Sequence, residues 1–247
     1  MLLFSESVEI ENIVVNHLPS TKKRSDALNR DLDALWDEEV AEMTAKGRKI
    51  WNAELYRLEN FQCIDTSLVL DLSTIEVKEI HASHRLPGEA DLEDSYRPNN
   101  IFVASFIETK DQKFIFGRTN TNTLNAGRID LIGGSLSKTE RPVVTGDDLF
   151  LSALSEIEEE LNIPLSDVGS GHLCAILKTP RSYVGMIFHI RLNLDLPQFE
   201  SLFHNRENDE ITEAVVVDES ELGSFLGSQA SYLPSLKTLP FIKAASS

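Results

Sequence analysis

Apolar residues recur along the chain in two rhythms. From Ser25 or Asp26 as N-cap, Ala27, Leu28, Leu32, Leu35, Trp36, Val40 and Met43 return at three- and four-residue steps until Gly47, which predicts an amphipathic helix. Residues 147–162 show the same period, with Phe150, Leu154, Ile157 and Leu161 on one stripe. Runs rich in β-branched residues predict strands over 8–17, 55–61, 67–72, 75–82, 101–108, 113–118, 129–132, 173–177, 184–192 and 213–217. Lys110-Asp111-Gln112 closes a hairpin, and short helices are expected over 199–204, 221–225 and 236–244. Strands interleaved with helices, hairpins among them, predict an α/β (α+β) protein whose mixed sheet is flanked by helices.

The polar, aperiodic stretch 88–100, GEADLEDSYRPNN, reads as a junction. It predicts two units: a smaller N-terminal α+β domain over 1–98, made of one helix and a small sheet, and a second domain over 99–247. There is no internal repeat and no low-complexity tract.

Composition narrows the function classes. With 41% hydrophobic and 26% charged residues in 247, the chain is ordinary globular material and not a disordered or collagenous one. Forty acids against twenty-three bases give a net charge of −17, a field that repels phosphate backbones and anionic headgroups and attracts divalent cations. Neither a nucleic-acid partner nor a membrane partner is expected. The opening MLLFSESVEI lacks a basic leader, and no apolar run reaches the roughly 18 residues of a membrane span. A soluble, cytoplasmic protein is the expectation. Cys63 and Cys174 form no CxxC, so two reduced, buried thiols are expected and no disulfide or zinc site.

The chemistry concentrates in residues 133–163. Glu156, Glu159 and Glu160 fall on the helix side opposite the apolar stripe, and like charges at such spacings repel by a few tenths of a kcal/mol per pair. They also occupy the C-terminal half of the helix, where the macrodipole disfavours anions, whereas Asp147 and Asp148 sit at the favoured end. A cluster that is locally unfavourable twice over makes sense around a cation. Hard ions such as Mg²⁺ take carboxylate oxygens, keep several waters and share substrate phosphates. Upstream, Gly133-Gly134 lets backbone approach a ligand or the helix without a Cβ clash, and Glu140 can reach the same place from the loop. On composition alone the stretch reads equally as a solvated acidic face beside a glycine turn.

Order and spacing separate these readings. GGSLSKTERPVVTGDDLFLSALSEIEEELNI resembles the Nudix box, G-x5-E-x7-R-E-U-x-E-E-x-G-U with U apolar, the signature of the Nudix hydrolase superfamily. The motif's glycine falls on Gly134 and its first glutamate on Glu140; the core falls on Glu156, Ile157, Glu159, Glu160 and Ile163. Three positions depart from it. The gap after Glu140 is fourteen residues instead of seven, Ser155 stands where the arginine belongs, and Asn162 replaces the last glycine. A longer loop absorbs the insertion, and Asn tolerates the left-handed C-cap. In the family the arginine helps hold the metal-binding glutamates, and a serine cannot form that charged fork.

The resemblance implies a Nudix α/β/α sandwich and attack of water on a phosphorus of a nucleoside diphosphate linked to another moiety. It also implies Glu156, Glu159 and Glu160 as metal ligands, Glu140 as a further ligand or a loop-ordering residue, and Mg²⁺, or Mn²⁺, as the cofactor. A fainter similarity covers most of the chain: Leu35-Trp36, Ile50-Trp51-Asn52 and Leu55-Tyr56-Arg57-Leu58 ahead of the box, the inserted loop, the missing arginine and the SEIEEELNIP ending look like Nudix diphosphatases of UDP-glucose and UDP-galactose. That similarity implies a nucleotide-sugar substrate and an N-terminal domain that helps shape its pocket.

Some Nudix enzymes keep a catalytic glutamate in a loop of the second half, and of Glu207, Glu210 and Glu213 the choice for general base is Glu210. Arg118, Arg128, Lys178 and Arg181 are the cations near the predicted sheet, and Arg118 and Arg181 join Gly133 and Gly134 as substrate-binding candidates. His81 and His84 lack a third ligand and read as surface or domain-contact residues; Trp36 and Trp51 read as anchors of the N-terminal core. Family members often dimerise, so a homodimer is compatible with the chain although no surface specifies one. Two other readings stay open: a Nudix-fold nucleotide binder or sensor without catalysis, favoured by Ser155, and prenyl-diphosphate isomerisation, disfavoured because Cys63 and Cys174 lie in apolar, strand-like surroundings.

Overall fold

The computed structural model describes residues 1–20, 26–47, 49–86, 97–120, 127–139, 141–230 and 232–245. Its frame is a mixed sheet of β1 (Leu2–Phe4), β5 (Ile101–Glu108), β6 (Lys113–Thr119), β7 (Ile129–Asp130), β8 (Ile132–Ser135), β9 (Val168–Lys178), β10 (Val184–Leu192) and β11 (Ile211–Asp218). The strands run in the order β1-β9-β10-β5-β6-β11, with β7 added to β6 and β8 to β5. β10 lies parallel to β5, with Val184 opposite Ile101, and the other pairs are antiparallel. β5 and β10 are buried along nearly their whole length, as expected of central strands covered on both faces.

The two covers are helical. On one face, α3 (Gly146–Leu161) buries Leu149, Ala153, Ile157 and Leu161 against Val103, Ile132 and Phe188. On the other, α5 (Leu222–Ser228), α6 (Leu233–Leu236) and α7 (Pro240–Ala245) cover Ala104, Phe106, Phe116 and Ile187. Alternation along β5 explains the division: Val103 faces α3, while Ala104 and Phe106 face the C-terminal helices. The architecture is a three-layer α/β/α sandwich. α4 (Leu196–His204) follows β10 and buries Phe199 and Phe203.

A second, three-stranded sheet of β2 (Ile13–His17), β3 (Glu54–Ile64) and β4 (Ser67–Glu76) has the order β2-β4-β3, accompanied by α1 (Asp26–Ala45) and α2 (Val77–Ser83). It does not close on itself. Leu58, Leu68, Leu70 and Leu72 belong to the same buried cluster as the apolar face of α3. β1 pairs with β9, and the backbones of Val8 and Leu173 exchange hydrogen bonds of 2.9 and 3.0 Å. The first residues of the segment expected as a separate 1–98 unit therefore belong to the large sheet. A boundary near 98 is drawn from polarity, which is blind to strand pairing across it. Most of that junction, 87–96, lies outside the described residues, as do residues 121–126 after β6.

Several expectations are corrected. The stretch 75–82 is strand only to Glu76, after which α2 begins, because Glu76 and Glu79 form a capping box and Ile80 is buried. The run 8–17 is broken by a 3-10 turn over Ile10–Asn12, where Ile10 and Ile13 pack against Gly146 at the start of α3. Cys174 is buried, but Cys63 is exposed on the outer end of β3, and Trp51 is 73% exposed and anchors no core. Trp36 packs edge-on to His81, with ring centroids 6.1 Å apart. Among the described residues, no helix is long and apolar enough to cross a membrane.

Candidate active site

α3 forms where its sequence signals place it. Thr145 is the N-cap: its side chain accepts from the Asp148 N–H, and Asp148 accepts in return from the Thr145 N–H at 2.9 Å. The Asp148 carboxyl lies below its ordinary range, held by the N–H groups of Val144 and Thr145 and by the charge of Arg141. At the far end Asn162 adopts the left-handed conformation, φ 59°, that the motif's glycine position requires.

The glutamates of the last two turns meet different surroundings. Glu156 is half-buried and lies against Gly134 of β8, where an added Cβ would run into its carboxylate. Glu159 is exposed, and so is Glu158, as the helical wheel predicts. Glu160 is only 6% exposed, and its carboxyl is pushed up to about 9, first by burial and then by the charges of Glu156, Glu210 and Glu159. Glu210 comes from the loop ahead of β11, where its carbonyl accepts the Asn120 N–H at 2.8 Å and its own N–H donates to Asn208 Oδ1 at 2.7 Å. Three carboxylates of one helix and a fourth from a loop far along the chain thus share one electrostatic neighbourhood.

The other candidates gather toward one end of the large sheet without all facing the glutamates. The register sets Ser135 opposite Phe102, Val184 opposite Ile101 and Ile211 opposite Thr119, so Gly134, the β9–β10 turn bearing Arg181, Arg118 and Glu210 lie toward the same end. Arg181 is exposed. Arg118 Nε is paired with Glu213 at 2.5 Å and Nη1 donates to the Gly127 carbonyl, so both that arginine and that acid are engaged along the β6–β11 edge. Arg128 pairs with Asp130 at 3.3 Å. Gly133 has a packing reason of its own, since a Cβ there would collide with the β5 backbone at Val103 and Ala104. His81 bonds Glu39 at 2.9 Å, and His84 bonds Tyr183 of the large-sheet side at 3.1 Å, a contact between segments as expected.

The donor set suits a hard divalent cation in kind, being anionic oxygen throughout, and the missing Cβ at Gly134 leaves the Glu156 carboxylate room beside β8. Among the described residues no three His, Cys, Asp or Glu side chains are drawn together closely enough to hold an ion, and Glu140 lies outside those residues. One residue near the site was not anticipated: Arg141 Nη2 donates to Ser155 Oγ at 2.9 Å. Its only sequence signal is an arginine in the inserted loop of a box that lacks one on its helix.

No family model and no curated protein matches the chain. Among solved structures it is similar to DR0079 from Deinococcus radiodurans, at 14% identity over 80% of this chain and 100% of that one, TM-score 0.44. It is also similar to a Nudix hydrolase from Nitrosomonas europaea, at 17% identity over 56% and 84% of the two chains, TM-score 0.39. The MutT protein from Methanosarcina mazei Go1 is similar at 18% identity over 59% and 91%, TM-score 0.37.

Proposed function

We propose that the chain is a divalent-metal-dependent hydrolase of the Nudix type, cleaving the pyrophosphate bond of a nucleoside diphosphate linked to another moiety, with a UDP-sugar or other nucleotide sugar as substrate. What supports this reading is the box spacing of Glu156, Glu159 and Glu160 on one helix, with Glu156 in the space left by Gly134 and Glu210 near enough for its charge to raise the Glu160 carboxyl. The nucleotide-sugar choice is supported by the sequence similarity around 35–36, 50–52 and 55–58.

In this mechanism Glu156, Glu159 and Glu160 would hold the ion, with Glu140 as a further ligand. Bound Mg²⁺ or Mn²⁺ supplies charge neutralisation for the diphosphate and a lowered pKa for water. Glu210 takes a proton from the attacking water as the water oxygen bonds to phosphorus and the bridging P–O bond breaks. The products are two phosphate monoesters, UMP and a sugar 1-phosphate in the case of a UDP-sugar. Arg181, exposed beyond the sheet end, meets the substrate's phosphates on approach.

The test is monophosphate release with Mg²⁺ from UDP-sugars, ADP-ribose, dinucleoside polyphosphates and nucleoside triphosphates, with Glu160→Gln as the blank. Turnover of a UDP-sugar that vanishes in the blank is the expected result. Silence across the panel, with one member raising the melting temperature, would move the chain to the second reading, a nucleotide binder, for which Ser155 speaks.

A further inference from the structure

The helix carrying the glutamates has six acids and no basic residue: GDDLFLSALSEIEEEL. A cation is brought to it from outside, since Arg141 donates from Nη2 to Ser155 Oγ at 2.9 Å. Ser155 immediately precedes Glu156 and lies one turn before Glu159, and side chains so related have Cβ atoms about 5–6 Å apart. A guanidinium is a planar fork of five donors, of which Ser155 takes one. The Arg141 charge also reaches Asp148, two turns before Ser155 on the same side of the helix, so the guanidinium lies along the side of α3 that continues one turn on to Glu159.

What aims Arg141 is the small N-terminal sheet. Ahead of it, the Tyr56 N–H donates to the Leu136 carbonyl at 2.9 Å, the Lys138 N–H donates to the Glu54 carbonyl at 3.0 Å, and Lys138 Nζ meets the Glu54 carboxylate at 3.1 Å. The Arg141 N–H then closes a turn onto the Ser137 carbonyl at 3.2 Å. Behind it, the Val143 N–H donates to Tyr56 Oη at 3.0 Å, and His17 Nε2 bonds the Val143 carbonyl at 2.7 Å. Tyr56 thus grips the loop on both sides of Arg141, and Tyr56 and Val143 are both buried.

We propose that Arg141 is a positioning residue for the metal-binding face of α3, acting from the loop at the helix position where the chain has Ser155, and that β3 and β2 hold it there through Tyr56 and His17. The N-terminal sheet is then a brace of the catalytic helix. This inference rests on the metal-dependent reading above.

The experiment is Mn²⁺ titration of the full chain without substrate, followed by calorimetry, together with kcat and KM on the best panel substrate. Partners that orient metal ligands typically contribute about 10–100-fold to metal affinity or activity. Arg141→Ala should lose that much in Mn²⁺ affinity and in kcat with KM little changed, and Tyr56→Phe, which frees the loop at Val143, should lose less in the same direction. The exchange Arg141→Ser with Ser155→Arg, which moves the guanidinium onto the helix, should restore both. If the exchanged pair does not fold, Arg141→Lys takes its place: affinity between wild type and Arg141→Ala is expected, and affinity no better than Arg141→Ala overturns the proposal. Wild-type Mn²⁺ affinity and kcat in Arg141→Ala, or a folded exchange that restores nothing, also overturns it. Where Glu160→Gln still loses Mn²⁺ binding, the functional reading survives that failure; unchanged Mn²⁺ binding in Glu160→Gln removes both.

Discussion

The carboxylate of Glu156 occupies the space that a side chain at Gly134 would fill. Gly133, one residue earlier, is constrained by something else, the backbone of β5 at Val103 and Ala104. The two glycines therefore separate function from folding. Gly134→Ala meets only the movable end of a side chain, so it should keep the fold and, on the proposed reading of Glu156 as a metal ligand, lower turnover at least 10-fold. Gly133→Ala meets rigid backbone and should cost stability by about 1–3 kcal/mol, as overpacking does. Melting curves and kcat for the pair check this; equal loss of activity per degree of melting in both would contradict it.

Glu160 sets a pH dependence of stability in the metal-free protein. Its carboxyl is raised to about 9 in the folded chain, so the fold binds its proton more tightly than the unfolded chain does. Its contribution is complete below the ordinary carboxylate range and is lost as pH rises toward 9. In EDTA, Glu160→Gln should therefore gain stability relative to wild type as pH goes from 5 to 9, read as a widening gap between urea midpoints. A gap that stays constant with pH would show that Glu160 ionises normally.

A second buried acid behaves in the opposite sense. Glu108 Oε2 accepts from His189 Nε2 at 2.7 Å and from Arg191 Nε at 2.9 Å, and the His189 bond, opposed by burial and aided by Arg191, holds its carboxyl below the ordinary range. Its stabilisation is present above the ordinary carboxylate range and fades as pH falls through the lowered value. His189 is stacked on Phe241 of α7 at 4.5 Å between centroids, so the pair also supports the C-terminal cover. Glu108→Ala should destabilise by about 1–3 kcal/mol at pH 7, the cost of leaving the buried His189 ring nitrogen without its partner, and by less near pH 3. Denaturation at the two pH values measures it.

Thr145 starts α3 through its capping box with Asp148. Thr145→Ala should cost about 1 kcal/mol. The loss should appear as a lower melting temperature with kcat nearly unchanged, because the cap lies more than two turns from Glu156. A large fall in kcat at full stability would place the cap in the chemistry instead.

How much was legible in the sequence differs by feature, for physical reasons. α3 and β10 are read nearly to the residue because period, cap and burial agree: Thr145 and Asn162 bound the helix, and Val184–Leu192 is apolar on both faces. The run 75–82 misleads because Ile75, Val77 and Ile80 satisfy a strand's composition, while the Glu76–Glu79 capping box that turns the chain is a local signal easily passed over. Trp51 is exposed where a large aromatic suggests core, which no pattern within its segment reveals. At the site, the spacing of the glutamates on one helix is visible in the sequence, whereas Glu210 is picked out from Glu207 and Glu213 only through the family resemblance. The Arg141–Ser155 bond is not, since it joins residues fourteen apart through a loop whose path is fixed by Tyr56 and His17 far upstream.

The central claim is that the glutamate face of α3 is a divalent-cation site, and direct Mn²⁺ titration of wild type beside Glu156→Gln, Glu159→Gln and Glu160→Gln tests it without any choice of substrate. The account predicts saturable binding by wild type and at least 10-fold weaker binding by each variant, with folds intact by circular dichroism. Wild type that binds no Mn²⁺, or variants that bind it as well as wild type does, would contradict it.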